Sequence, residues 1–205
     1  MAQYPKDEVR DRILAAALSV FAERGFPGAS IAEIARRAGV STGNVYRYYE
    51  SKESLFDEVV PAAFVDRLRA VVRKRVRALG GVSDVRKLPH GHAAEQATDE
   101  LLAFLLEHRL RVAIVLGRAE GTRFADVRAQ AIEDGRKTAI EHFRAIDESL
   151  SPSEPLRFAL ERIYAGYLES LVAILLRFDD GAKVRAALES LNRYHLGGLG
   201  VVFTR

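Results

Sequence analysis

The residues best suited to bind a polar ligand lie in one short stretch, NVYRYYESK, at positions 44–52. It holds three tyrosines within four positions, beside an asparagine, an arginine and a lysine. A packed core would use one such ring, and an ordinary solvated surface would use none. The stretch therefore indicates a surface where hydroxyl groups and cations meet a polar partner.

A helical wheel at about 100° per residue divides this stretch into two faces. Val45 and Tyr49 share the apolar side, which predicts that they pack inside the protein. The opposite side is small or polar and contains Gly43, Asn44 and Arg47. Tyr46 and Tyr48 flank that strip, where their hydroxyls can reach the two phosphate walls of a DNA major groove. The wheel predicts a recognition helix; a protein-interaction face is the alternative.

The preceding residues predict the elements that position this helix. Ser30 and Glu33 have the spacing of a capping box, and the apolar residues after Ser30 recur at helical spacing. Gly39 ends that short helix, and a second one follows near residues 42–48, which matches a helix-turn-helix. Lys52 stands at the start of the next helix, where its ammonium group and the free N–H groups can bind phosphate.

Residues 12–55, RILAAALSVFAERGFPGASIAEIARRAGVSTGNVYRYYESKESL, resemble the tetracycline-repressor (TetR) family of bacterial transcription regulators. One departure is Tyr49, where the family usually has phenylalanine, so its hydroxyl needs a partner or a route to solvent. The resemblance implies a homodimer that binds a near-palindromic double-stranded operator. By position it implies base-proximal roles for Thr42, Gly43, Asn44 and Arg47. It implies phosphate contacts for Ser30, Ser41, Tyr46, Tyr48 and Lys52.

The rest of the chain predicts an all-α fold of about nine helices. Apolar residues recur at three- and four-residue spacing, without a sustained period of two. Together with the resemblance, this predicts a DNA-binding domain at 1–50 and an effector-binding and dimerisation domain at 51–205. Pro61 should kink or divide the long helix that Ser51 caps. The clearest linker is 80–92, and later helices are predicted at 93–107, 109–118, 123–147, 155–177 and 182–203.

The last two helices carry the strongest signal for a subunit interface. A stripe with near-heptad spacing runs along the final helix through Val184, Leu188, Leu191, His195, Gly198 and Val202. Such spacing suits helix–helix packing and favours a four-helix interface made by two subunits. The alternative is a helix that packs inside its own chain.

An effector pocket is expected among the helices after residue 51. The candidate lining residues are aromatic, apolar or histidine side chains, each of which could equally pack in a core. They are Phe64, Leu68, Phe104, His108, Val112, Leu116, Phe143, Tyr164 and Tyr167.

Two further groups of polar residues have simpler interpretations. The basic residues of 67–77 read as a solvated helix face, and His90 and His92 lack the carboxylates of a metal site.

Composition limits the remaining possibilities. The chain has 205 residues, no cysteine and a net charge of +3, which tolerates a polyanionic partner without requiring one. Lack of cysteine fits a reducing cytoplasm, and no signal peptide or membrane span is predicted. No catalytic triad spacing, phosphate loop or metal motif indicates an enzyme, and no cofactor is expected. The leading hypothesis is a repressor released by an unidentified small molecule; the alternative is a DNA-binding structural or division-control protein without an effector.

Overall fold

A computed structural model describes residues 6–79 and 91–203, and every regular element in them is an α-helix. Ten helices follow one another in these ranges, one more than expected, because Pro61 divides the long helix after Ser51. They are α1 (Lys6–Gly28), α2 (Ile31–Ala38), α3 (Thr42–Tyr48), α4 (Lys52–Val59), α5 (Ala62–Ala78), α6 (Ala93–Glu107), α7 (Arg109–Gly117), α8 (Val127–Ile146), α9 (Glu154–Arg177) and α10 (Gly181–Phe203). Residues 80–90 of the predicted linker, with His90, lie outside the described residues.

Capping side chains set the boundaries of the N-terminal helices. The hydroxyl oxygens of Ser30, Ser41 and Ser51 each accept a hydrogen bond from the backbone N–H three residues later. The expected capping box at α2 is only half formed, because the Glu33 carboxylate binds Arg37 instead. Gly39 ends α2 with a φ of 66°, a left-handed conformation that favours glycine.

One hydrophobic core joins the N-terminal helices to the rest of the chain. Phe21 of α1 and Phe56 of α4 meet edge to face, with ring centroids 5.2 Å apart, and Phe26 lies 5.1 Å from Phe56. α7 is surrounded by this core, and its residues 112–114 are fully buried. The predicted domain boundary at residue 50 therefore separates helices that share one apolar interior.

A smaller core lies where α8, α9 and α10 meet. Ile140, Leu160 and Leu199 are its buried members, and half-buried Phe143 stacks on Phe203 at a centroid distance of 4.0 Å. α8 approaches α9 closely at Gly135, where a Cβ atom would lie 2.5 Å from the ring of Tyr164. The packing here relies on fewer buried residues than in the main core.

The predicted subunit stripe on α10 mostly faces the interior of its own chain. Val184 and Leu188 are buried in the main core, and Leu191 packs against it. His195 contacts the rings of Tyr164 and Tyr167, at 5.0 and 4.4 Å between centroids. The interface prediction is wrong for these four positions, because the spacing that suits a partner helix equally suits α9. Gly198 and Val202 are exposed.

Candidate nucleic-acid interface

The third helix has the two faces that its sequence predicts. Val45 is fully buried and the Tyr49 side chain is only 5% exposed, so this side faces the interior, where α3 packs against α2. Ser41, Thr42, Gly43 and Arg47 are exposed, and Asn44 is half-buried. Ser30, at the start of α2, is also exposed. The short helix is held by the Ser41 cap and by the backbone N–H of Tyr49, which donates to the Val45 carbonyl at 3.0 Å.

The outward face of α3 presents polar groups in a defined arrangement. The guanidinium of Arg47 donates to the Asn44 side-chain oxygen at 3.4 Å, so these two groups lie side by side. Tyr46 is 56% exposed on one flank. Tyr48 is half-buried on the other flank, and its ring centroid lies 6.5 Å from that of Tyr49.

The hydroxyl of Tyr49 is buried without a hydrogen-bond partner among the described residues. It lies beside the ion pair between Arg10 of α1 and Glu58 of α4, close enough for both charges to act on it. Burial, and then the negative charge of Glu58, raise the pKa of this phenol. The sequence predicts that the Tyr49 hydroxyl needs a hydrogen-bond partner or contact with solvent. In the structure this hydroxyl is buried, and the Arg10–Glu58 ion pair lies beside it.

Lys52 has a structural role that its position in the motif does not reveal. Its ammonium group donates to the backbone carbonyls of Phe26 and Ala29, at 2.8 and 3.0 Å. It also lies 4.4 Å from the centroid of the Phe26 ring, a cation–π contact. Two of its three N–H donors are thus occupied within the protein, so a phosphate would share this lysine with the turn after α1.

Two arginines hold α2 in place behind the recognition helix. The guanidinium of Arg12 donates to the carbonyls of Ala38 and Gly39 at the end of α2. Arg37 binds the two oxygens of Glu23 at 2.7 Å each, and it also binds Glu33 at 2.9 Å. These bonds lower the pKa of Glu23 to about 2, chiefly through the hydrogen bond from Arg37. The orientation of α2, and with it α3, is therefore fixed by charge as well as by packing.

Comparison with known proteins identifies this arrangement of three helices. Residues 13–59, from the middle of α1 to the end of α4, match the family model described as bacterial regulatory proteins, tetR family. These residues of the chain form a tetR-family N-terminal segment. The resemblance seen in residues 12–55 is thereby confirmed, and α2 and α3 form the helix-turn-helix of this segment.

Curated transcription regulators are similar to part of the chain. The chain is 42% identical over 73 residues to the HTH-type transcriptional activator FasR of Mycolicibacterium smegmatis, a match over 36% of this chain and 33% of that protein. It is 32% identical over 105 residues to the HTH-type transcriptional repressor NicS of Pseudomonas putida, over 51% and 43% of the two chains. The matches thus span less than half of these curated relatives.

A weaker similarity extends along the whole chain. A TetR-like transcriptional regulator from Rhodococcus sp. RHA1 is 22% identical over 96% of this chain and 100% of that one, with a TM-score of 0.46.

The nine predicted effector residues fall into three groups in the structure. Phe64, Phe104 and His108 form a ring cluster between α5 and α6, with centroids 4.7 to 5.5 Å apart. Leu68, Val112 and Leu116 are buried in the main core. Phe143 and Tyr164 pack against the smaller core, and Tyr167 packs against the main core beside His195. Periodicity identified the inward faces of the helices, but it does not distinguish a pocket wall from packed core.

One small cleft lies at the junction of the ring cluster with α1. Its volume is about 170 Å³, and it is lined by Leu18 and by 106–111. Ligand pockets are typically about 300–1,000 Å³, so this cleft is small for an effector. Across residues 6–79 and 91–203, no group of three or more His, Asp or Glu side chains is placed to hold a metal ion. His92 instead caps α6 by accepting from the N–H of Ala94.

Sequence reasoning missed the polar residues that surround Tyr164 and Tyr167. The hydroxyl of Tyr167 donates to the side-chain oxygen of Asn192 at 2.7 Å, and His195 lies between the two tyrosines. Arg75, which the sequence assigns to a solvated basic face, turns toward Tyr167 and has a buried nitrogen. The assignment to a solvated face is wrong for Arg75.

No helix in the described ranges is both long and apolar enough to cross a membrane.

Proposed function

We propose that this protein is a dimeric, sequence-specific DNA-binding transcriptional regulator of the cytoplasm, most simply a repressor that a small molecule releases. The observation that carries the DNA-binding part is the face of α3, which is exposed and polar opposite a buried Val45. Arg47 and Asn44 are the side chains proposed to read base edges. Tyr46, Tyr48 and the helix-capping serines are proposed to contact phosphate.

Selection of bound duplexes from a random pool, followed by fluorescence anisotropy, tests the DNA-binding proposal. The expected product is a near-palindrome whose half-sites lie about 34–36 Å apart, one turn of DNA. Arg47→Ala should weaken operator binding about 5- to 150-fold and relax the preference at one base pair. Arg73→Ala on α5, at an exposed position away from α3 and the proposed dimer interface, is the matched control and should bind as wild type. Equal affinity for selected and random duplexes would refute the proposal.

The dimer is proposed to form through the outward faces of α9 and α10. Phe158, Tyr194 and Val201 on these helices are 64%, 81% and 74% exposed, a high exposure for large apolar side chains. Gly166 and Gly197 lie in the same two helices, and a Cβ atom on either would meet nothing within 4 Å. Glycine inside a helix costs about 1 kcal/mol against alanine, so close approach of a second chain explains its use.

Oligomeric state in solution tests the interface. Phe158→Glu should raise the dimer dissociation constant at least about tenfold, because it places a charge in an apolar contact. Sedimentation equilibrium measures this constant. Ile146→Glu, at an exposed position on α8, is the control and should leave the constant unchanged. A wild-type protein that stays monomeric, or an equal response of the two variants, would exclude this interface.

Release by an effector is proposed to pass through α7. The guanidinium of Arg111 donates to the Val59 carbonyl at 2.8 Å, at the end of α4 and just before Pro61. At the other end of α7, the Arg118 carbonyl accepts from the N–H of Phe26 at 2.9 Å. A ligand that displaces α7 would thus move α4 and the turn after α1 together. An ordinary coupling of about 1–3 kcal/mol would change operator affinity about 5- to 150-fold.

A thermal-shift screen with the full-length protein distinguishes a ligand-responsive regulator from the alternative. A compound that raises the Tm and lowers operator affinity supports the proposal. If no compound stabilises the protein and it occupies many genomic sites, it is instead a DNA-binding structural or division-control protein without an effector.

A further inference from the structure

Arg75 differs from every other basic residue of α5. The helix presents Arg67, Arg73, Lys74 and Arg77 to solvent, whereas half-buried Arg69 binds the side chains of Asp66 and Gln130. Arg75 is half-buried, and its Nη1 atom has neither solvent nor a hydrogen-bond partner in the structure. No carboxylate of the described residues forms an ion pair with it. Burying a guanidinium nitrogen without a hydrogen-bond partner or, among the described residues, a counter-charge costs free energy, which indicates a role for Arg75 other than stability.

The groups described on α9 and α10 near Arg75 are polar but uncharged. Tyr167 of α9 is near enough for the charge of Arg75 to act on its hydroxyl, which donates to Asn192 of α10. The imidazole of His195 packs on the Tyr167 ring at 4.4 Å, and burial lowers its pKa to about 4, so it is neutral at pH 7. The site therefore has one positive charge, together with hydrogen-bonding groups that do not neutralise it.

The walls next to these polar groups are apolar. Tyr164 joins His195 to the smaller core, where Phe143 and Phe203 stack and Leu160 is fully buried. α5 packs mainly on α6 rather than on α9. The backbones of α5 and α9 are therefore not in close contact, and the space between Arg75 and Tyr167 is bordered by side chains. A ligand here would place a charged end at the guanidinium and its body against aromatic and aliphatic side chains.

We propose that Arg75, Tyr167, Asn192 and His195 form the polar end of a binding site for an organic carboxylate with an apolar body. A carboxylate matches the planar fork of a guanidinium and would occupy its unsatisfied N–H groups. The hydroxyl oxygen of Tyr167 retains a lone pair and is already oriented by its bond to Asn192. The inference rests on the proposed ligand-responsive function and names the chemical class of the effector.

The test uses the full-length protein and four carboxylates, each paired with its neutral alcohol. The probes are hexanoate, decanoate, benzoate and 2-naphthoate at constant ionic strength and pH 7, measured by thermal shift and calorimetry. At least one acid should raise the Tm in a saturable way and bind at least about tenfold more tightly than its alcohol. If none of the four acids binds saturably, or if acid and alcohol bind equally, the proposal is overturned.

Variants at position 75 separate a ligand site from a structural arginine. Arg75→Met should raise the Tm of the unliganded protein, because an unpaired buried charge is removed, and should weaken carboxylate binding at least about tenfold. Arg75→Lys keeps the charge without the planar fork, so it should fold like wild type and bind more weakly. Arg73→Met, two positions away and exposed, is the control for both measurements. A lower Tm for Arg75→Met, or unchanged binding in both position-75 variants, would show a structural role instead.

Measuring operator binding with the same samples distinguishes failure of the carboxylate site from failure of the proposed regulatory function. If a variant or a probe fails the carboxylate test while the selected duplex is still bound, the carboxylate site alone is refuted. If no duplex is selected, the proposed regulatory function fails whatever the carboxylates do.

Discussion

The N-terminal helices and the C-terminal helix pair differ in how many of their apolar side chains are buried and in which side-chain hydrogen bonds hold them. In the first region, Phe21, Val45 and Phe56 are fully buried, and side-chain hydrogen bonds from Lys52, Arg12 and Arg37 lock the turns. In the second, the smaller core of three buried residues lies beside helices that leave Phe158 and Tyr194 exposed. The first region buries its phenylalanines within one chain, whereas the second leaves large apolar side chains exposed.

Truncation of a phenylalanine in each region should show the largest difference. Phe21→Ala should lower the free energy of unfolding by about 3–5 kcal/mol, because it empties a fully buried site bordered by Phe26 and Phe56. Phe143→Ala should cost about 1–2 kcal/mol, since its ring is half-buried. Chemical denaturation at one fixed protein concentration measures both. Equal costs would contradict the contrast between the two regions.

Removal of the Lys52 ammonium group should have an intermediate effect. Lys52→Met keeps the length of the side chain but leaves the carbonyls of Phe26 and Ala29 without their donor. We expect a loss of about 1–3 kcal/mol in unfolding free energy. Lys137→Met on α8 is the control, because its exposed ammonium is near Glu133 alone. If both variants have wild-type stability, Lys52 is free for phosphate and does not lock the turn.

The two regions should respond to acid in different pH windows. The folded pKa of His195 is about 4 against an ordinary 6.5, so its neutral imidazole contributes fully above pH 6.5 and progressively less as the pH falls toward 4. The folded pKa of Glu23 is about 2 against 4.5, so its ion pair with Arg37 is lost only below pH 4.5. This second effect should be the smallest, because the Glu23 side chain is half exposed.

Amide hydrogen exchange between pH 7 and 3 measures these windows region by region. Protection in α9 and α10 should fall first, and His195→Phe should remove that early step. Glu23→Gln should remove the later step in α1 and α2. Simultaneous loss of protection in both regions, unchanged in the two variants, would disprove the assignment.

Prediction from sequence succeeded wherever the signal was local. Short-range rules for serine caps, a left-handed glycine and a proline break located α2, α3 and the division at Pro61, because each depends on hydrogen bonds within a few residues. The wheel of α3 predicted the buried Val45 and Tyr49 for the same reason. Prediction from sequence failed for the stripe on α10, because periodicity shows that a helix face is covered without showing which chain covers it.

The amino-acid sequence by itself determined the all-α class, nearly every helix boundary, the tetR-family segment and the two faces of α3. Only the tertiary structure decided that Lys52 binds carbonyls at the end of α1, that α10 turns most of its apolar stripe inward, and that a buried nitrogen of Arg75 has no partner among the described residues. Helix formation and capping depend on neighbours along the chain. The partner of a charge or an apolar stripe depends on residues tens of positions away, which become neighbours only when the helices pack.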